Sequence, residues 1–196
     1  MKKLIYIREA KGAKGYLVLG IAENGKKKSY TVSKSVYAEL GSPERSSDID
    51  SEQAEIIAGE DERFRALRKA LSLLSYSDNS ERELGVKLRR AGFSRECAEL
   101  AVHKVKSLGY VNEEKQIERA VLNEANLKLS GPMKIIPKLV AKGYSSELIR
   151  SVMIRLSDEG KIDFDDNKRR IREEYFSDSE NTVEYKKFLY KKGYKA

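Results

Sequence analysis

The sequence predicts a mainly α-helical protein: tandem three-helix repeats in an extended, curved array, preceded by a small N-terminal antiparallel β unit. Three observations predict it. One pattern of apolar residues returns about every fifty positions, each copy passes through a glycine followed by an aromatic residue, and β-branched and aromatic runs are confined to the first forty positions.

In the β unit, placed at 1–45, Leu4-Ile5-Tyr6-Ile7 and Gly15-Tyr16-Leu17-Val18-Leu19-Gly20-Ile21 have strand composition. Ser29-Tyr30-Thr31-Val32 follows Asn24-Gly25, a pair that accepts positive φ at both centres of a tight turn. A hairpin or a three-stranded sheet is expected. Ser33 precedes Val36, Tyr37 and Leu40, a short helix stopped by Gly41 and Pro43. The stretch 46–62 has seven acids, no base and one strongly apolar pair, Ile56-Ile57, so it reads as a linker or a short surface helix.

From Arg63 the period becomes helical. Phe64, Leu67, Ala70, Leu71 and Leu74 share a helix face. Ser80 and Glu83 form a capping box ahead of Leu84 and Leu88, for a helix over about Ser80–Ala91. Gly92 ends it in the left-handed region, with Phe93 packing back on the last turn. Ser94 caps a third helix carrying Cys97, Ala98, Ala101, Val105 and Leu108, which ends at Gly109.

A shift of fifty-one residues carries Leu84, Leu88, Gly92, Phe93, Ala101, Val105 and Gly109 onto Ile135, Leu139, Gly143, Tyr144, Val152, Leu156 and Gly160. A further shift of fifty reaches Tyr185, Leu189, Gly193 and Tyr194. Repeats are therefore expected at 63–111 and 112–162, with a truncated third at 163–196, each needing its neighbours to cover an apolar face. Pro132 suits a first helical turn, whereas Pro137 would cost a backbone hydrogen bond in an established helix. The second-repeat helix is thus expected to start late or to bend.

Composition narrows the function classes. No apolar run is long enough to span a membrane, and Arg8 and Glu9 interrupt any signal-peptide core, so a cytoplasmic location is expected. Cys97 and His103, the single cysteine and histidine, leave too few soft ligands for a metal scaffold, and no cofactor is expected. The net charge of +8 is unevenly spread: +6 over 1–45, −7 over 46–62 and +9 over 63–196, a balance that favours phosphate-bearing or acidic partners.

Two motifs mimic ligand loops. Gly20-x-x-x-x-Gly25-Lys26 resembles a phosphate-binding loop, but Lys27 stands where a magnesium-holding hydroxyl is needed and a strand follows, so a hairpin is expected. Asp163, Asp165, Asn167 and Glu174 have calcium-loop spacing, but Lys168 replaces the turn glycine and Arg169, Arg170 and Arg172 would repel a cation. These acids read instead as the N-terminal cap of a helix through Ile171 and Tyr175. His103 reads as a surface side chain and Cys97 as core; no catalytic residues are assigned and no enzymatic activity is expected.

The basic residues recur with the repeats. Lys87, Arg89, Arg90 and Arg95 surround the end of the second helix of repeat one; Lys138 and Lys142 stand at the matching place in repeat two, and Lys186, Lys187, Lys191 and Lys192 in repeat three. They are the candidate contacts for a nucleoprotein, a continuous track binding phosphates without sequence preference. Tyr144, Tyr190 and Tyr194 could add stacking with unpaired bases, although the Gly-aromatic step favours helix capping for them.

Leu71-Ser72-Leu73-Leu74, Ser80-x-x-Glu83-Leu84-x-x-Lys87-Leu88-x-x-x-Gly92-Phe93 and Leu108-Gly109-Tyr110 resemble the first repeat of the RecX family, regulators of the RecA recombinase. Lys138-Leu139-Val140-Ala141-Lys142-Gly143-Tyr144 and Phe188-Leu189-Tyr190-Lys191-Lys192-Gly193-Tyr194 resemble its second and third. The likeness covers about 63–196, and the β segment is similar to the leader of longer members. Where the family usually carries an acidic pair directly after the first Gly-Tyr step, Tyr110-Val111 is followed here by Asn112-Glu113-Glu114, and the last helix of the third repeat is missing. The resemblance implies a regulator of homologous recombination and DNA repair within the SOS response. It implies binding to the RecA filament on single-stranded or duplex DNA, with limits on filament growth, ATP hydrolysis and strand exchange. A sequence-specific DNA-binding regulator using one three-helix unit is the alternative, but no sustained heptads offer a dimer seam and a monomer is expected.

Overall fold

A computed structural model describes residues 2–177 and 182–195. The chain divides into two compact units, Met1–Ser75 with Gly85–Val105, and Tyr76–Leu84 with Lys106–Ala196.

The first unit opens with strands β1 (Lys2–Glu9), β2 (Tyr16–Glu23) and β3 (Lys26–Ser33), followed by helix α1 (Lys34–Glu39) and a two-residue strand β4 (Asp48–Ile49). All pairings are antiparallel, in the order β3-β2-β1-β4, one short strand more than expected. Glu23 pairs with Lys26, and Asn24 and Gly25 both have positive φ, 46° and 75°, as a two-residue hairpin turn requires. Gly20 and Lys26 therefore belong to a hairpin rather than a phosphate loop. Leu4, Leu19, Ile21, Val32 and Ile49 form one wall of a core whose other wall is Ala54 and Ile57 of helix α2 (Ser51–Tyr76).

Helix α2 runs through most of the stretch expected as a linker or a short surface helix. Asp50 accepts from the Gln53 amide (2.8 Å) while Gln53 accepts from the Asp50 amide (3.2 Å), a reciprocal cap that starts the helix at Ser51. Glu52, in the first turn, meets the positive end of the helix dipole. Asp61, buried on this helix, accepts from the Thr31 amide of β3 (2.8 Å) and from Arg65 (2.8 Å), so it satisfies an edge-strand donor.

Helices α3 (Glu81–Arg90) and α4 (Arg95–Ser107) follow, and then α5 (Glu113–Leu122), continued by a π-helical turn, Asn123–Leu127. After them come α6 (Pro132–Ala141), α7 (Ser146–Asp158), α8 (Phe164–Phe176) and α9 (Thr182–Lys192). The fifty-one-residue shift carries α3 onto α6 and α4 onto α7 end for end. The protein is thus mainly helical, with three-helix units behind an N-terminal sheet. In the third unit only α8 and α9 lie among the described residues, and 178–181 between them lie outside.

Of the late start or bend expected for α6, the late start does not occur. Pro132 occupies its first position, where a missing N–H costs nothing, and Pro137 lies inside the helix on its exposed side. In the second unit Ile117, Val121, Ala125, Ile135, Leu139, Ile149, Val152 and Leu156 form the main core, beside a smaller cluster of Leu129, Ile171, Leu189 and Tyr194.

Candidate functional site

The three Gly-aromatic steps share one backbone geometry. Gly92, Gly143 and Gly193 have φ of 91°, 94° and 92°, and the next amide reaches back to the carbonyl of the helix's last core leucine. Phe93 N–H bonds Leu88 (3.3 Å), Tyr144 bonds Leu139 (3.3 Å) and Tyr194 bonds Leu189 (3.0 Å). This is a Schellman stop, and its left-handed residue is glycine because a Cβ there strains the backbone.

Within the second unit two of these steps are joints between repeats. Ser80 Oγ, at the head of α3, donates to the Lys142 carbonyl (2.6 Å) and accepts from Glu83 N–H (3.1 Å). Fifty-one residues on, Gly131 heads α6 and donates its own N–H to the Lys192 carbonyl (2.8 Å), while Met133 N–H bonds the Gly193 carbonyl (3.1 Å). At the second joint, amides at a helix start are thereby capped by carbonyls from the end of the corresponding helix in the next repeat, whereas at the first the Ser80 hydroxyl bridges the Glu83 amide and the Lys142 carbonyl. Glu113 adds to the first joint by accepting from Glu81 N–H (2.8 Å), so the carboxylate after the Gly-Tyr step has a structural task. Ser80→Ala removes both Oγ bonds and is expected to cost about 1–2 kcal/mol in chemical denaturation; an unchanged midpoint would refute the joint.

The joint tyrosines are buried. Tyr144, 6 % exposed, donates to Gln116 Oε1 (3.1 Å), and Tyr194, 2 % exposed, donates to the Leu129 carbonyl (3.2 Å). Burial, ahead of any charge, pushes both phenols up to about 12. The capping role expected for the Gly-aromatic step describes both, and neither offers a face to a base. Tyr190, at 69 % exposed, is open to solvent.

The basic candidates separate into two groups. Arg89, Arg90, Lys142, Lys186, Lys187 and Lys191 are exposed. Arg95 is exposed but paired with Glu99 (2.7 Å), and Lys87 is half-buried with a partner of its own. Lys192 donates to the Lys128 carbonyl (3.0 Å) and lies over the rings of Phe188 and Tyr175. Lys138 is committed to Glu124 (2.7 Å), a carboxylate 4 % exposed on the π-helical turn.

Glu124 is the residue that sequence reasoning missed. Its Oε1 takes Lys128 and Lys138 at 2.7 Å each and its Oε2 takes Ser130 Oγ (3.4 Å). Burial alone would push this carboxyl up, but hydrogen bonds from the two lysines, reinforced by their charge, outweigh it and hold it at about 2. The Lys128 partner, four residues on, is visible in the sequence as a helical pair; Lys138, fourteen residues away on another helix, is not.

Elsewhere, Asp163 caps α8 by accepting from the Asp165 and Asp166 amides (2.9 Å each), and Asn167 is buried against the Ala125 carbonyl (3.0 Å), a helix start in place of a calcium loop. Cys97 is buried and His103 exposed. No helix among the described residues is long and apolar enough to cross a membrane.

Helical units latched at Gly-aromatic steps and flanked by exposed cations define a helical-repeat protein. Over 130 residues the chain is 31 % identical to the regulatory protein RecX of Thermotoga petrophila, a match covering 66 % of this chain and 77 % of that protein. This chain belongs to the RecX family of regulatory proteins, which are not enzymes. The family model for the first three-helix domain of RecX matches residues 66–104. The regulatory protein RecX of Lactobacillus johnsonii is 26 % identical over 119 residues, which span 61 % of this chain and 44 % of that longer protein. In fold, the chain is similar to a crystal structure of regulatory protein RecX, with a TM-score of 0.72 at 22 % identity over 99 % of this chain and 95 % of that one. It is also similar to RecX from Lactobacillus salivarius, with a TM-score of 0.58 at 23 % identity over 68 % and 89 % of the two chains.

Proposed function

We propose that this chain regulates homologous recombination and DNA repair by binding the RecA filament on DNA, where it limits filament growth, ATP turnover and strand exchange. Family membership supports the reading. The observation that carries it is the return of exposed cations at the end of each second helix: Arg89 and Arg90, then Lys142, then Lys191. Such cations bind phosphates through release of counterions, and affinity then falls steeply with salt. Lys138 and Lys192 contribute less, because each is held by an internal partner.

The test is filament length and ATP turnover of RecA on single-stranded DNA with this protein titrated in. Reversing Arg89, Arg90 and Lys142 to glutamate is expected to raise the concentration needed for half-inhibition by at least about ten-fold, with the wild-type salt slope flattened. Wild-type protein that leaves both readouts unchanged at saturation overturns the proposal. Binding one duplex sequence far more tightly than random DNA or RecA-coated DNA would place the chain among sequence-specific regulators instead.

A further inference from the structure

Lys128, Lys134, Arg170 and Lys192 line one cavity of about 530 Å³ in the second unit, together with Leu127, Leu129, Ser130, Glu174 and Tyr175. Four cations face one carboxylate there. Lys128 and Lys192 have structural attachments, to Glu124 and to the Lys128 carbonyl, which fix two walls of the cavity. Lys134 and Arg170 have no ion-pair partner among the described residues. At the cavity's edge Tyr175 is 51 % exposed; Phe188 packs against its ring, with centroids 5.2 Å apart, and Lys192 Nζ lies over it at 6.0 Å from the centroid. Leu127, exposed on the π-helical turn, is a further apolar contact at the rim.

From this arrangement we propose that the cavity is a binding site for single-stranded nucleic acid, taking a backbone phosphate between Lys134 and Arg170 and an unpaired base against Tyr175. Convergent cations alone would suit any anion. The exposed ring beside them selects a ligand that carries a flat base next to its phosphate, and a duplex keeps its bases stacked away from such a face. None of these residues except Lys192 belongs to the recurring basic positions; Lys134 and Arg170 lie on different helices and meet only in the fold. The site deepens the proposed function, on which it rests for a biological role, but its binding is measurable on bare nucleic acid without RecA.

The test uses the full chain and a fluorescent oligothymidylate, followed by anisotropy over a salt series. Lys134→Gln with Arg170→Gln removes both charges while keeping a polar side chain at each position, and is expected to weaken binding roughly ten-fold, with the slope of log affinity against log salt reduced by roughly 0.7 for each phosphate left unneutralised. Tyr175→Leu is expected to weaken binding while leaving that slope unchanged. A control with Lys115→Gln and Arg150→Gln, which removes equal charge outside the cavity, should bind nearly as wild type. Equal loss in the control and in the cavity variant overturns the site, as does inorganic phosphate or an acidic peptide binding with the same dependence on Lys134 and Arg170 while the oligonucleotide does not. Should the oligonucleotide bind as expected while RecA filaments are unaffected, the cavity stands and the filament reading alone falls.

Discussion

Gly131→Ala is expected to detach the last helix of the chain from the repeat before it. A Cβ on Gly131 would lie 2.6 Å from the Gly193 carbonyl carbon and closer still to its oxygen, with the Tyr194 ring at 2.9 Å. The backbone of Gly131, at φ −85°, suits any residue, so the conflict is one of space alone. Relief requires the 192–194 segment to withdraw, which breaks the bonds from Gly131 and Met133 to the Lys192 and Gly193 carbonyls and uncovers Tyr194. Overpacking of this kind costs about 2–3 kcal/mol. Native-state hydrogen exchange should show protection lost in α9 and the first turn of α6 while the sheet of the other unit is unaffected. Gly85→Ala is the control: its Cβ would meet nothing nearer than Val102 Cγ2 at 4.0 Å, and alanine inside a helix should stabilise by up to about 1 kcal/mol. Unchanged protection in α9 would mean that the joint does not hold this helix.

The second large effect is acid lability centred on Glu124. Its carboxyl is depressed from 4.5 to about 2 in the fold. A depressed carboxyl contributes stability that is fully present above the unfolded value and lost as pH falls through the folded one. The window is therefore pH 4.5 down to about 2, and a shift of this size corresponds to about 3 kcal/mol. Glu124→Gln should cost a similar amount at neutral pH, because the lysine pair loses its counter-charge and the π-helical turn its buried anchor. Urea denaturation at a series of pH values should show wild type and variant converging as pH approaches 2. Curves that stay parallel over the whole window would show that Glu124 is not the titrating group.

Much of the local structure is legible in the sequence because it depends on neighbours along the chain. Asn24-Gly25 determines its hairpin through backbone conformation, Ser33 and Asp163 cap helices by reaching amides two or three residues away, and each Gly-aromatic step closes its own helix. The acidic stretch 46–62 is harder to read, since its charges describe a linker and a helix start equally well. The Asp50–Gln53 cap decides for a helix from Ser51 onward, with β4 just before it.

The candidate interface is legible only in part. The recurrence of Arg89, Arg90, Lys142 and Lys191 is written in the spacing, but whether a lysine is free depends on what stands across from it in space. Lys87, Lys138 and their third-repeat counterpart Phe188 occupy equivalent positions, yet Lys138 alone faces the buried Glu124. Lys134 and Arg170 have no periodic signal at all, and a cavity gathers them.

By itself, then, the sequence determined the helical repeats, their fifty-one-residue register and the hairpin, because period, turn chemistry and capping are set along the chain. Only the tertiary structure decided which cations are committed, which tyrosines are sealed in and how one repeat caps the next. Each of those outcomes depends on groups up to 65 residues apart, as between Tyr194 and Leu129, whose meeting depends on packing and on the cost of leaving a buried polar group unpaired.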